Sequence, residues 1–394
     1  MISYLEARNI LTHAARSFGT ESLPLEQSYD RVLTGMVRAD RDYPPFDRAT
    51  MDGYALRGYD LQQGIREFNI IETILAGDIV SRQLSAGECY KIMTGAPVPT
   101  GADMVIRRED TKEGEQSIQM LTDTTRPYLN IARQGEDLRS GDIVIDSPCM
   151  GEPAIIGLMA SLGRKELTVA RLPKVALITT GNEVVPVEAQ PGPAQIRNSN
   201  RWLLQALLKK WQIDPWLYEH VPDDRTQLRD AIEKALSADV VILCGGVSAG
   251  DADYVPGMLE ASGVTRLFHK LAIKPGKPVW CGNGPGHTMV FALPGNPFSC
   301  LVGFVLLIQP YLQACFGVPE VTSLSLPLGN AKKKYTPLDE FFPVRVHGAP
   351  ARLLPVSLNG SGDIRLGMQA NALALHPAGM PDLEEGSPVI YFPL

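Results

Sequence analysis

The sequence predicts a multidomain protein of the α/β plus β class. A central three-layer parallel α/β domain is expected, with a β-rich lobe ahead of it and a small C-terminal β-barrel or sandwich behind. Three observations carry this expectation. From Lys174 onward, apolar runs ending in glycine alternate with amphipathic helical stretches, as βαβ units do. From Tyr54 to Ile145 the chain holds short alternating runs separated by glycine turns. After Gly317 the β-type runs are short and rich in proline and glycine.

Each element follows in order. "MISYLEARNILTHAARSF" spaces Ile2, Leu5, Ile10, Leu11 and Phe18 as an amphipathic helix, without the uninterrupted apolar core of a signal peptide. A second, weaker helix is expected over "QSYDRVLTGMV", before the proline-rich "RDYPPFDRATMDGYALRG" breaks the pattern. "FNIIETIL", "GECYKIM", "ADMVIRRED" and "SIQML" read as strands of a mostly antiparallel lobe. "EPAIIGLMASLG" is a helix, with Gly163 suited to its C-terminal end. "KVALITTG" is a strand covered on both faces, and "NSNRWLLQALLKKW" a helix capped by Asn198 or Ser199. "PWLYEHV", "RTQLRDAIEKALSA" and "DVVILCGG" continue the alternation. "HTMVFALPG" adds a late strand and "NPFSCLVGFVLLIQPYLQACF" a long helix. "FFPVRV", "ARLLPVSL" and "SPVIYFPL" build the terminal β-domain.

Composition bounds the function. A chain of 394 residues exceeds one ordinary core, and 44% hydrophobic with 21% charged residues describes a soluble globular protein. The net charge of −7, with no basic block, argues against a nucleic-acid partner. Six cysteines lie scattered without a C-x-x-C pair, so they are expected as buried thiols rather than a metal cluster or disulfide framework. The apolar run "CLVGFVLLIQPYL" is shorter than the ~20 residues a membrane span needs and contains a proline. No membrane association is expected, and a cytoplasmic location is the default.

The candidate chemistry gathers at strand ends. "CGGVSAGDADYV" follows the apolar strand "DVVIL", where a doubly wound domain binds its ligands. Gly245, Gly246 and Ser248 could cradle a phosphate, since glycine lets backbone N–H groups approach an anion. Asp251 or Asp253 could hold a divalent ion there, although a capped surface turn would explain the same residues. "TTGNEV" places Glu183 at another strand end, and "VPDDR" places Asp223 and Asp224 at a third. "ALPGNPFS" supplies a rigid turn, Pro294, Gly295, Asn296 and Pro297, into a helix start. "HKLAIKPGKPVW" carries Lys270, Lys274 and Lys277, point charges suited to phosphate or another oxyanion. In the first half, Asp52 in "FDRATMDGYAL", Thr94 and Gly95 in "KIMTGAPVPTGADMVI", and Glu136 and Asp137 in "RQGEDLRSGD" each read locally as turn residues. No Ser/His/Asp order or zinc-type histidine pair stands out.

Seven of these motifs, "PPFDRATMDGYA", "YKIMTGAPVPTGADMVI", "GEDLRSGD", "TTGNEV", "GGVSAGDADYV", "KLAIKPGKP" and "LPGNPFS", occur in the order found in the MoeA-type molybdopterin molybdenumtransferases. "GSGDIRLGMQANAL" resembles that family's C-terminal domain. The chain thus resembles a family related to the E-domains of gephyrin and Cnx1, over nearly its whole length. The resemblance implies a domain split over 1–45 and 138–172, helical and linker-like, and an inserted β-rich lobe over 46–137. It further implies a MogA-like α/β molybdopterin-binding domain over 173–318 and a β-barrel over 319–394. It implies an elongated homodimer that converts adenylylated molybdopterin and molybdate to molybdenum cofactor, releasing AMP, with magnesium present. The inserted lobe would face the α/β domain of the other subunit. Family functional positions fall on Asp52, Thr94, Asp137, Glu183, Asp223, Asp253, Lys270 and Lys274, with Pro294 and Pro297 shaping the turn. Glu183 and Asp253 would be the magnesium ligands, and the lysines would attract the oxyanion or the departing phosphate. Molybdopterin adenylyltransferase and cofactor-accepting molybdoenzymes are the implied partners. Two positions depart from the family pattern: Asn182 and Asn198 stand where aspartate is usual. A catalytically weak scaffold of the same fold, or the adenylyltransferase itself, are the alternative readings.

Overall fold

The computed structural model describes residues 1–146, 148–247, 254–319 and 324–394. The chain forms two compact units: Met1–Thr34, Pro148–Gly157 and Lys165–Leu394 make the first, and Gly35–Ser147 with Leu158–Arg164 the second.

The first unit is built on a six-stranded sheet. Its strands are β1 (Val175–Thr180), β2 (Leu217–Val221), β3 (Val240–Cys244), β4 (Thr265–His269), β5 (Trp280–Asn283) and β6 (Met289–Leu293), in the order β2-β1-β3-β6-β5-β4. β2, β1, β3 and β6 are parallel, whereas β5 and β4 run antiparallel to their neighbours. The all-parallel expectation is therefore corrected to a mixed sheet. The reason is local: only the short Pro285–His287 turn separates β5 from β6, too little chain for a crossover.

Strand alternation fixes the layers. Val175 and Leu177 of β1, with Val240 and Ile242 of β3, pack into the core beneath α1 (Ser199–Lys209) and α4 (Pro297–Phe316). Ala176, Ile178, Val241 and Leu243 face the opposite side, under α2 (Arg225–Ala235) and α3 (Val255–Ala261). Both faces are covered, which explains the continuous apolar strands. α4 has 20 residues and a mean hydropathy of 1.6, enough by length and composition to cross a membrane, but 83% of it is buried inside the protein. Its middle, Phe304–Ile308, widens into a π-helical turn just before Pro310, whose ring cannot fit the ordinary α-helical ladder.

The N-terminal helix Tyr4–Ala14 starts with a capping box, the Ser3 hydroxyl accepting from Glu6 N–H and the Glu6 carboxylate from Ser3 N–H. It packs Tyr4 edge-on against Phe341 at 5.2 Å. The expected second helix over "QSYDRVLTGMV" does not form. Val32–Leu33 is a strand there, in a four-stranded sheet with Thr20–Pro24, Glu166–Ala170 and Cys149–Met150. The β-branched Val32 favours the extended chain, and Asp30 in the left-handed region ends any helix. The split domain is thus part sheet rather than helical and linker-like.

Toward the C-terminus, Asp339–His347 pairs with both Arg352–Pro355 and Ala372–His376; Pro388–Pro393 and Leu324–Pro327 follow in the ladder, and Leu328 bridges back to Leu353. Leu328, Phe342, Val344, Leu353 and Val389 fill the space these strands enclose.

The second unit carries its own six-stranded sheet, ordered Met104–Arg107, Gly53–Leu56, Glu88–Ile92, Glu67–Ile74, Ser117–Met120 and Thr111–Glu113. It is antiparallel except where Glu67–Ile74 meets Glu88–Ile92. Separate apolar clusters form around Tyr90 and Ile92 and around Tyr54 and Phe68. Gly53 has a steric reason: a Cβ there would overlap the carbonyl oxygen of Ile106 on the adjacent strand.

Candidate active site

A cavity of about 1220 Å³ opens in the first unit where the carboxyl ends of β1, β2, β3 and β6 face the C-terminal β-domain. This is where an α/β sheet presents its loops to a ligand.

One wall comes from those strand ends. Gly181 follows β1 and Glu183 comes two residues later; a Cβ on Gly181 would sit 2.8 Å from Glu183 Oε2, so only glycine lets the carboxylate fold back there. Asp223 follows β2 and is locked to the β1 end by a reciprocal pair: Asn182 N–H donates to Asp223 Oδ2 at 3.3 Å, and Asp223 N–H donates to Asn182 Oδ1 at 3.1 Å. An aspartate at 182 would put a second carboxylate against Asp223, so asparagine keeps the clasp without like-charge repulsion. Asp224 faces away and caps α2, accepting from Gln227 N–H.

Gly245 and Gly246 end β3 with φ of 109° and 65°, a conformation that favours glycine. Pro294, Gly295, Asn296 and Pro297 form the turn from β6 into α4, with Pro297 in the first turn of the helix. Asn200 Nδ2 donates to Gly295 O at 2.5 Å, tying that turn to the start of α1. Beneath them Cys244 and Cys300 lie buried, Sγ atoms 3.8 Å apart, and the hydrogen bond between the two sulfurs, with burial, holds the Cys300 thiol protonated. Ser248 and Asp253, expected in the phosphate and metal sites, lie outside the described residues, as does Asp251.

Another part of the wall is basic. Lys274 and Lys277 line it from the loop after β4, and Lys332 and Lys333 from the β-domain. Lys332 donates to Glu340 Oε1 at 2.9 Å and sits 5.3 Å from the ring centres of both Tyr335 and Phe342. Lys274 and Glu340 are register neighbours on paired parallel strands. The cavity therefore holds both carboxylates and lysines, a set of groups suited to a polyanion bridged by a cation.

Lys270 does not line this cavity. It is half-buried with φ of 67°, its N–H donating to Val279 O and its carbonyl accepting from Ile2 N–H. Asp52, Thr94 and Asp137 belong to the second unit. There Asp52 Oδ1 accepts from both the N–H (2.8 Å) and hydroxyl (2.7 Å) of Thr94, which holds its carboxyl below the usual aspartate range. Asp137 is exposed, and its N–H donates to Tyr43 O.

For a divalent cation, the cavity offers the hard oxygens of Glu183 and Asp223. Among the described residues no cluster of three or more His, Cys, Asp or Glu converges. That donor set fits magnesium, which commonly takes one or two carboxylates and completes its shell with substrate phosphates and water.

Sequence reasoning missed three features. Thr179, Asn198 and Tyr218 form a hydrogen-bonded group behind the β1 end, with Asn198 Nδ2 donating to Thr179 Oγ1 (2.8 Å) and Tyr218 OH (3.1 Å). The β-domain supplies lysines to the cavity, a contribution the bare run "AKKKY" could have suggested. Thr180 Oγ1 and Asn200 Oδ1, on residues lining the cavity, are buried without a hydrogen-bond partner among the described residues.

Strand-end glycine turns, carboxylates and lysines thus line one cavity of an α/β domain, the residue types with which such a domain can hold an anionic ligand. Comparison with known proteins is specific. Residues 2–163 match the family described as MoeA N-terminal region (domain I and II), and residues 176–314 match the probable molybdopterin binding domain. The chain is 31% identical to the molybdopterin molybdenumtransferase of Bacillus subtilis over 98% of its length and 92% of the relative's. It is equally identical to that of Staphylococcus aureus Mu50, over 98% and 93%. The solved structure of the molybdopterin biosynthesis MoeA protein from Pyrococcus horikoshii OT3 superposes with a TM-score of 0.87 at 28% identity, covering both chains entirely. Another solved structure of a molybdopterin biosynthesis MoeA protein, also from Pyrococcus horikoshii, gives a TM-score of 0.80 at 30% identity, covering 100% of this chain and 99% of the other. The chain belongs to the molybdopterin molybdenumtransferase family, a family of transferases in molybdenum cofactor biosynthesis.

Proposed function

We propose that this protein inserts molybdenum into molybdopterin, taking adenylylated molybdopterin and molybdate and releasing AMP in a magnesium-dependent reaction. The cavity of the first unit is the single observation that carries the reading: carboxylates, lysines and strand-end glycine turns line it together, in a chain of this family. Gly246, Gly295 and Asn296 would offer backbone N–H groups to the phosphates, with Gly245 admitting the close approach and Pro294 and Pro297 shaping the turn. Lys274, with Lys277 and Lys332 beside it, would hold the incoming oxyanion or the departing AMP phosphate. Asp223, held by Asn182, would orient water or metal against the phosphoanhydride. Glu183, with Asp253 as its expected partner, is the proposed magnesium pair; the ion would neutralise charge on the phosphate oxygens. Soft dithiolene sulfurs on the pterin would take the molybdenum, so the protein needs no cysteine at the metal. Lys270, Asp52, Thr94 and Asp137 remain proposed functional positions on the family resemblance alone. A homodimer in the cytoplasm, receiving substrate from a molybdopterin adenylyltransferase and delivering cofactor to molybdoenzymes, completes the proposal.

AMP release from adenylylated molybdopterin by the purified protein tests it. Release should require both molybdate and magnesium and fall at least ~100-fold in Lys274→Ala, as for loss of an electrostatic stabiliser of the transition state. Tight substrate binding with no AMP release under any oxyanion would favour a scaffold instead.

A further inference from the structure

Two consecutive threonines end β1, and the protein treats their hydroxyls differently. Thr179 Oγ1 is saturated: it accepts from Asn198 Nδ2 at 2.8 Å and contacts His220 Nδ1 at 3.1 Å and Tyr218 OH at 3.3 Å. Thr180 is 8% exposed, lines the cavity, and its Oγ1 has no hydrogen-bond partner among the described residues. A buried hydroxyl without a partner costs stability, so such a group calls for an explanation.

The surroundings supply one. A Cβ built on Gly245 would lie 2.5 Å from Thr180 Oγ1, and one on Gly246 3.4 Å from it. Side chains at either position would cover the hydroxyl; glycines leave it bordering the turn. Gly295 adjoins the same spot, its own Cβ position 3.8 Å from Gly245 Cα. The hydroxyl thus sits just under the surface where the β3 and β6 turns meet, beside the backbone N–H groups of Gly246, Gly295 and Asn296. The Gly245 N–H is taken by Leu293 O, so the Thr180 hydroxyl adds a donor where one backbone amide is already committed. A donor with no acceptor beside a glycine turn is complementary to an anion.

We propose that Thr180 is a substrate-binding residue whose hydroxyl donates to a phosphate oxygen of the nucleotidyl group held at Gly245 and Gly246. This rests on the functional reading above and adds a side-chain donor to what is otherwise a backbone cradle. The donor is desolvated before the ligand arrives, so its bond to a charged oxygen is stronger than the same bond in water.

The test uses the full-length protein, with AMP and magnesium as the binding probe and adenylylated molybdopterin as the turnover substrate. Thr180→Val removes the hydroxyl at nearly constant shape. It should weaken AMP binding by about tenfold, as for one hydrogen bond to a charged group, while the unliganded protein melts at the parent temperature or above. Thr180→Ser should restore binding to within about twofold of the parent. A merely structural threonine predicts the reverse pattern, with stability lost and AMP affinity unchanged, and that result overturns the assignment. If the valine variant does not fold, Thr180→Ala must show the tenfold loss, and parental affinity in it likewise overturns the assignment. The two readings separate cleanly. A parent that turns over adenylylated molybdopterin beside an equally tight Thr180→Val variant sinks Thr180 alone; a parent that neither binds AMP nor releases it sinks both.

Discussion

Asn198 shows how much one residue settles. Its Oδ1 accepts from Arg201 N–H as the cap of α1, and its amide protons go to Thr179 and Tyr218, so a side chain 6% exposed uses three hydrogen-bonding sites. The Arg201 guanidinium lies 3.9 Å from the centre of the Tyr218 ring and closes the group from the other side. Asn198→Ala therefore removes a helix cap and leaves buried hydroxyls short of a donor. We expect a loss of about 2–4 kcal/mol, read as a lower urea midpoint. Asn198→Asp should cost far less, because the Thr179 and Tyr218 hydroxyls can turn to donate to a carboxylate that still caps the helix. Equal losses in the two variants would refute the role given to the hydroxyls. The family-type aspartate and this chain's asparagine are thus two solutions to one packing problem, with opposite proton directions.

At the scale of elements, legibility in the sequence tracked how local the determining physics is. The strands of the α/β domain and the helices between them were visible because burial on both faces writes an unbroken apolar run, and an amphipathic face writes a 3.6-residue period. The mixed order of the sheet was not, because the reversal at β5 and β6 depends on how little chain the Pro285–His287 turn leaves between them rather than on the apolar pattern of either strand. The two-residue strand Val32–Leu33 gains its identity only from partners at Cys149–Met150 and Val169, more than a hundred residues away, so a helical reading of that stretch went uncorrected by anything local. Within the cavity, glycine turns and carboxylates announced themselves, whereas Glu340 and Asn200 reach it by tertiary placement alone. "MDGYA" carried the opposite lesson. Asp52 there reads locally as a turn residue, yet the glycine beside it is an inner-strand residue pressed against the Ile106 carbonyl. Gly53→Ala should push Gly53–Leu56 away from Met104–Arg107 and destabilise the second unit by at least ~2 kcal/mol, since backbone there cannot yield as a side chain could. Hydrogen exchange of the Ile106 and Tyr54 amides would register it. Unchanged protection at both would mean that the strands can separate without cost.

The whole molecule consists of two units with separate apolar cores, and this dictates how it should unfold. The clusters around Tyr54 and Tyr90 lie in the second unit, whereas those around Ile242, Val241 and Phe342 lie in the first. Chains with independent cores do not melt as a single two-state system, so calorimetry should resolve two transitions. The perturbations should then sort by unit. Gly53→Ala lowers the transition of the second unit, and Asn198→Ala that of the first. AMP with magnesium, whose proposed contacts on β3 and β6 lie in the first unit, should raise the first unit's transition by mass action. That amounts to about 2.7 kcal/mol at a free concentration ~100-fold above the dissociation constant, or several degrees for a unit of this size. One merged transition that moves with all three perturbations would show that the two cores unfold as one cooperative body, and would make the ligand's stabilisation a property of the entire chain.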